Sequence, residues 1–219
     1  MFSDLIDERF LLGSENLLTP FDFQSLFGCL CPVEIEIGIG RGKYILGEAV
    51  RRPSVGFLGI ERVRKYLRVA LARLNVSGCE NVRLACEDAG FIVRKLIPDD
   101  SVYTYHIYFP DPWPKRRHRQ RRLIDPDFAT HLHRTLAPGG TLKVATDHVE
   151  YSRNILEALN SVDTWAKINS WTESARGTNI PDATHYEVKY SQEARPVFWM
   201  VCVKPEFSVA EFPSPIGLG

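Results

Sequence analysis

No stretch of this chain approaches the roughly 20 consecutive apolar residues that span a bilayer. Nor does one sign of charge dominate, since 27 Lys and Arg face 27 Asp and Glu. A membrane-spanning helix is therefore not expected, and no whole-molecule field draws the protein to nucleic acid. Cysteine is sparse: Cys29, Cys31, Cys79, Cys86 and Cys202 form neither a CxxC pair nor a zinc-like Cys/His spacing. Reduced thiols and no metal are expected from that pattern. The opening M-F-S-D-L-I-D-E-R-F has early acids and no apolar core, so a cytoplasmic protein without a signal peptide is expected. There is also no internal repeat and no low-complexity linker. What is present, 219 residues of which 44% are hydrophobic, suffices for one buried core. A single domain over 1–219 is expected, with an N-terminal arm (1–32), a core (33–203) and a C-terminal tail (204–219).

From Val33 the pattern alternates regularly. Strand-like runs at 33–37, 55–60, 81–86, 102–109 and 141–145 are separated by helical runs at 43–52, 62–75, 88–96, 126–136 and 148–160. In the second helical run Val63, Leu67, Ala70, Leu71 and Leu74 make one apolar face at i, i+3, i+4 spacing. Ala137-Pro138-Gly139-Gly140 reads as a turn, and 164–171 and 197–203 as two final strands. Such alternation predicts an α/β fold, a parallel sheet with helices on both faces, and ligands at the carboxyl ends of the strands.

The segments after those strands carry a set of acids. Glu36 and Gly38-x-Gly40-x-Gly42 stand at the end of the first strand, where glycines permit a tight turn and close approach of a ligand to backbone. This is not the G-x-G-x-x-G of pyrophosphate-binding proteins, and a carboxylate at Glu36 suits a cation better than a phosphate. Glu61 follows the second strand, placed to accept from ribose hydroxyls or to cap the next helix. Asp88 follows the third, as an adenine contact or a cap. Asp111 follows the fourth and Asp147 the fifth, the latter again with capping as the alternative. Jointly the set fits an adenosine bearing positive charge and no phosphate.

The densest chemistry lies in Val102–Arg122. A strand of β-type residues stops where Pro110 removes the ladder donor. Asp111 is then held between two prolines beside Trp113, which either stacks a base or packs. Lys115, Arg116, Arg117, Arg119, Arg121 and Arg122 follow. They read as a mobile phosphate-binding arm or as a solvated charged loop.

In order, E-I-G-x-G-x-G, G-I-E, E-D-A, F-P-D-P-W-P-K and A-T-D resemble the bacterial tRNA (guanine-N7)-methyltransferases, over most of the chain from about Val33 to Val203. The resemblance implies a Rossmann-like methyltransferase fold, three-layer αβα, with a mostly parallel seven-stranded sheet and an antiparallel last strand. It implies an S-adenosylmethionine site lined by Glu36, Glu61, Asp88 and Asp111, with Gly38 and Gly40 at the turn. Asp111 is implied as the catalytic residue, with Lys115 and Asp147 contacting tRNA substrate. The family's Thr-(Arg/Lys)-Phe-Glu motif corresponds to Thr184, His185, Tyr186 and Glu187, where histidine replaces a fixed cation. The implied activity is methyl transfer to N7 of a guanosine in the tRNA variable loop, by a monomer or homodimer. The rivals are an amino-group methyltransferase, which would carry a second proline after Asp111, and a non-catalytic RNA-binding subunit of the same fold. An NAD-dependent oxidoreductase is a more distant rival, because the third glycine is misplaced for it.

Overall fold

In the computed structural model, residues 8–174 and 196–206 are described. Strands β1 (Val33–Ile37), β2 (Gly56–Ile60), β3 (Val82–Ala85), β4 (Val102–Tyr108), β5 (Leu136–Thr146), β6 (Lys167–Ser174) and β7 (Pro196–Val203) form one sheet in the order β3-β2-β1-β4-β5-β7-β6. β7 pairs antiparallel with both β5 and β6, while the neighbouring pairs from β3 to β5 are parallel. β7 alone therefore runs against the other six, as the resemblance implied. Among the described residues six α-helices accompany the sheet: α1 (Phe23–Phe27), α2 (Lys43–Arg51), α3 (Arg64–Ser77), α4 (Ala89–Lys95), α5 (Pro126–Thr135) and α6 (Val149–Asn160).

Alternation of side chains along each strand divides the core into two layers. Ile35, Ile37, Tyr105, Ile107, Leu142 and Val144 point to one face and pack with Ile92 and Val93 of α4, Phe128 and Leu132 of α5, and Ile155 and Leu159 of α6. Phe57, Val82 and Leu84 point to the other and meet Ile45 and Ala49 of α2 and Leu67, Leu71 and Leu74 of α3. Ile35, Leu58, Leu142 and Val144 have no exposed surface, and each such side chain contributes about 1.5–3 kcal/mol by burial. The arm closes the β3 edge: Leu12 N donates to Leu84 O at 2.8 Å, and Phe10 is buried in the α2–α3 layer. An edge covered in this way offers no free ladder for a second chain.

Several boundaries differ from the sequence pattern: the strand expected over 164–171 is β6 at Lys167–Ser174, and two other shifts have identifiable reasons. The expected turn at 137–140 lies inside β5, because Leu136 already pairs with Val102 and the ladder resumes at Thr141 with Thr104. Those four residues are an irregularity in a continuous strand, anchored by Gly139 N to Lys204 O. The Lys204 ammonium also reaches the carbonyls of His133, Arg134 and Leu136 at 3.0, 3.3 and 2.8 Å, neutralising the negative end of α5. Helix α3 starts at Arg64, two residues later than its pattern, because the Glu61 carboxylate holds Val63 N at 2.7 Å in an extended conformation.

The loop between β1 and α2 turns through left-handed backbone at Gly38, Gly40 and Gly42. A Cβ at Gly42 would lie 2.9 Å from the Cβ of Ala70 on α3, whereas one at Gly40 would meet nothing within 4 Å. Both Gly→Ala changes therefore carry the left-handed penalty of about 1–2 kcal/mol, and Gly42→Ala adds a clash with α3. Urea unfolding is expected to show Gly42→Ala as the more destabilising of the two. Equal losses would remove the packing argument.

Candidate active site

Because β2, β1, β4 and β5 are adjacent and parallel, their following segments leave the sheet along one rim. That rim carries the glycine loop, Glu61, Asp111 and Asp147, with Asp88 beyond β3 at its end. Sheet order thus brings together acids drawn from five separated parts of the chain.

Glu36 is buried in β1 and Glu61 is buried after β2. Glu61 binds backbone with both oxygens, Oε2 accepting from Gly40 N at 2.9 Å and Oε1 from Val63 N. It therefore ties the glycine loop to the start of α3. Each carboxylate oxygen retains a further lone pair for a hydroxyl donor. Asp88 is exposed and is the N-cap of α4, its Oδ1 accepting from Phe91 N at 3.1 Å while Oδ2 lies 3.6 Å from Arg62. For Asp147 the capping alternative fails: His148 is the N-cap of α6, its Nδ1 accepting from Tyr151 N at 3.1 Å.

Asp111 is exposed on a loop bracketed by Phe109 and Trp113, non-glycine residues with φ of 52° and 43°. Left-handed backbone at such residues costs about 1–3 kcal/mol each and persists only where surroundings impose it. Phe109 N donates to Ala145 O at 2.8 Å on one side. On the other, Arg122 Nε donates to Pro112 O at 2.8 Å, its guanidinium also reaching Asn154 Oδ1, Glu150 Oε1 at 3.1 Å and the face of Tyr151 at 5.0 Å. Arg122 is buried.

The basic run, expected as a phosphate-binding arm or a solvated charged loop, divides by partner. Residues Arg116–Arg121 form a 3-10 helix rather than an irregular loop. Arg119 pairs with Glu150 at 2.8 Å and Arg122 is consumed in holding the Asp111 loop. Arg121 lies over the Trp113 ring at 5.2 Å, and His118 meets that ring edge-on. Lys115, Arg116 and Arg117 remain exposed in the residues that follow the Asp111 loop. Thr184, His185, Tyr186 and Glu187 lie outside the described residues.

A second cluster, unremarked in the pattern, lies under the rim. His106 of β4 is buried with Nε2 2.9 Å from Glu34 Oε2 and Nδ1 2.9 and 3.1 Å from the hydroxyls of Tyr108 and Tyr44. Arg52 donates to both oxygens of Glu34 at 2.6 and 2.8 Å. Burial alone would raise the Glu34 pKa, but hydrogen bonds from His106 and Arg52, with the Arg52 charge, outweigh it and hold the carboxyl at about 2. Burial pushes His106 below its usual 6.5, so near neutrality a neutral imidazole donates from Nε2 and accepts at Nδ1. The cluster joins Tyr44, two residues past Gly42, to Tyr108, three residues before Asp111. Its only sequence signal was two glutamates inside a strand whose five residues are all buried.

The chain matches the family described as putative methyltransferase over residues 31–200. The chain belongs to this family. It is 38% identical over 159 residues to the tRNA (guanine-N(7)-)-methyltransferase of Salmonella typhimurium, and 38% over 156 residues to that of Escherichia coli O9:H4. The alignments cover 73% and 71% of this chain and 66% and 64% of those relatives, so the chain is matched to somewhat under two thirds of their length. Among solved structures, the 16S rRNA methyltransferase KamB is similar with a TM-score of 0.63 and 14% identity, covering 84% of this chain and 92% of that one. That likeness extends to the fold of the methyltransferase sheet.

The Asp111 loop and the Glu34 cluster each carry an expectation. Arg122→Ala frees Pro112 O and Asn154, and is expected to cost about 1–3 kcal/mol in denaturant unfolding. A loss no larger than that of an exposed Arg116→Ala would contradict the anchoring role. Glu34 and His106 both have depressed folded pKa values, so their stabilisation is complete above pH 6.5 and is lost on acidification. Stability is expected to fall below pH 6.5 through His106 and more steeply below 4.5 towards 2 through Glu34. Glu34→Gln should flatten the lower limb, and an unchanged pH profile in that variant would refute the assignment.

Proposed function

We propose that the chain transfers a methyl group from S-adenosylmethionine to N7 of a guanosine in the variable loop of tRNA. The observation that carries this reading is the constrained Asp111 loop, one strand from the glycine loop and followed at once by Lys115 and the basic 3-10 helix. The relatives that are 38% identical bear the name of that activity, which supports the same reading.

The donor site fits a sulfonium nucleoside better than a phosphate. The glycine loop is open, with no heavy atom within 4 Å of a Cβ at Gly38 or Gly40, so a ligand has room to approach its backbone. Two buried acids stand at it, Glu36 at the end of β1 and Glu61, which accepts from Gly40 N. In this reading Glu36, Glu61, Asp88 and Asp111 hold S-adenosylmethionine, which when bound supplies an electrophilic methyl group on a positively charged sulfur.

Guanine N7 has a lone pair in the plane of the ring, so attack requires no prior loss of a proton. The task for the protein is to align N7 with the methyl carbon and the leaving sulfur, an orientation problem that rigid positioning serves. Positive charge passes to the purine as the new bond forms, and a carboxylate at Asp111 stabilises it. Asp111 acts in this account by position and charge, without serving as an obligatory base. Lys115 and Asp147 take the substrate, joined by the motif Thr184, His185, Tyr186 and Glu187. A carboxylate can accept from guanine N1–H and the 2-amino group together, a pattern that adenine lacks.

Unmodified tRNA transcript incubated with labelled S-adenosylmethionine should yield N7-methylguanosine in the variable loop on nucleoside mapping. Label on an exocyclic amine, or no transfer, would sink the reading. Asp111→Ala should lower kcat by about 10²–10³-fold while tRNA binding persists. Lost tRNA binding with residual turnover at high tRNA would reverse the role given to Asp111.

A further inference from the structure

The zero net charge of the chain conceals a segregation. Between Arg41 and Arg73 there are nine cations and two acids, and between Lys115 and Arg122 six cations and no acid. These two segments hold fifteen of the 27 cations and two of the 27 acids. The second is the basic helix beside Asp111. The first has no place in the function described so far.

Arg51 and Arg52 lie at the far end of α2, paired with Glu48, but the others gather on one part of the rim. Arg62, Arg64, Lys65 and Arg68 lie just before and within the first five residues of α3, and Arg41 and Lys43 lie on the glycine loop and at the start of α2. Arg73 Nη1 donates to Arg41 O at 3.0 Å, which ties the two groups together. Arg62 is 3.6 Å from Asp88. Arg64, Lys65 and Arg68 pair with no acid among the described residues.

This placement works against the helix that bears it. The N-terminus of a helix carries partial positive charge and favours acids, yet the first turn of α3 has none and its N-cap, Val63, makes no side-chain cap bond. Arg64 and Arg68 add an i, i+4 like-charge repulsion. By contrast α5 begins with an Asp125 cap and Asp127, and α6 with Glu150. A solvated helix face mixes both signs, while this one concentrates a single sign where it destabilises. Local rules are broken in this way where a surface serves a ligand.

We propose that the N-terminal face of α3, with Arg41 and Lys43, is a second phosphate-binding surface for the RNA substrate. It rests on the tRNA reading above for the identity of the polyanion. β2 and β4 flank β1, so the segments that follow them stand two strand spacings, about 10 Å, apart at their roots with the glycine loop between. RNA whose nucleotide enters at Asp111 is gripped on one side by Lys115 and Arg116 and on the other by Arg64, Lys65 and Arg68. The two surfaces straddle the donor site, so backbone contacts on both sides fix the orientation of the base between them.

The triple variant Arg64→Ala, Lys65→Ala, Arg68→Ala tests this in the full chain, with fluorescently labelled tRNA transcript as probe. Its tRNA affinity is expected to fall about 10-fold or more near 0.1 M salt, and the slope of log K against log salt to become shallower by about 2–3. Binding of S-adenosylhomocysteine should be unchanged, and Tm should equal or exceed that of the parent because repulsion has been relieved. An unchanged salt slope, or a lowered Tm that accounts for the lost affinity, overturns the proposal. Loss of binding to anionic lipid vesicles with tRNA binding intact would assign the surface to membranes and overturn it also. Because the readout is binding, a parent protein that binds tRNA but transfers no methyl group refutes the proposed function and leaves this surface standing. A parent without salt-dependent tRNA binding refutes both.

Discussion

Hydrogen bonding of β2, β1, β4 and β5 as adjacent parallel strands is the constraint from which the site follows. Parallel pairing sends every strand tip to the same rim, and the helices that return the chain occupy the two faces. Five acids separated by up to 111 positions in sequence, Glu36 to Asp147, therefore stand on one edge. β7, running the other way, contributes its start rather than its end to that rim.

A rim of acids and cations needs rigid support, and two buried polar groups supply it. Glu34 is an acid in the middle of a sheet, tolerated because Arg52 and His106 satisfy its oxygens. Through His106 that anchor reaches Tyr44 behind the glycine loop and Tyr108 behind Asp111. Arg122 does the same for the far side of the Asp111 loop, where left-handed backbone at Trp113 would otherwise relax. The Glu34 cluster thus reaches behind both the glycine loop and the Asp111 loop, and Arg122 adds a second anchor to the latter.

The charges have a similar logic. Five cations between Arg62 and Arg73 follow β2 and six between Lys115 and Arg122 follow β4, on either side of β1. Acids stand at the strand tips themselves, from Asp88 after β3 to Asp147 after β5.

Much of this was legible from residue order. Alternation of β-branched runs with amphipathic runs carried the α/β class, and Pro110 marked the end of β4, because period and backbone chemistry are local properties. Glycines and acids after the strands marked the rim for the same reason. Boundaries shifted where a distant partner intervened, as when Glu61 delayed α3 or when Val102 drew Leu136 into β5 ahead of the expected turn. The division of the basic run lay beyond the sequence: Arg121 and Arg122 are identical residues side by side. Only α6, folding back to present Glu150, Tyr151 and Asn154, makes one of them a surface cation and the other a buried clamp. Residue type is local, but burial and partnership depend on which chain segments the fold brings into contact.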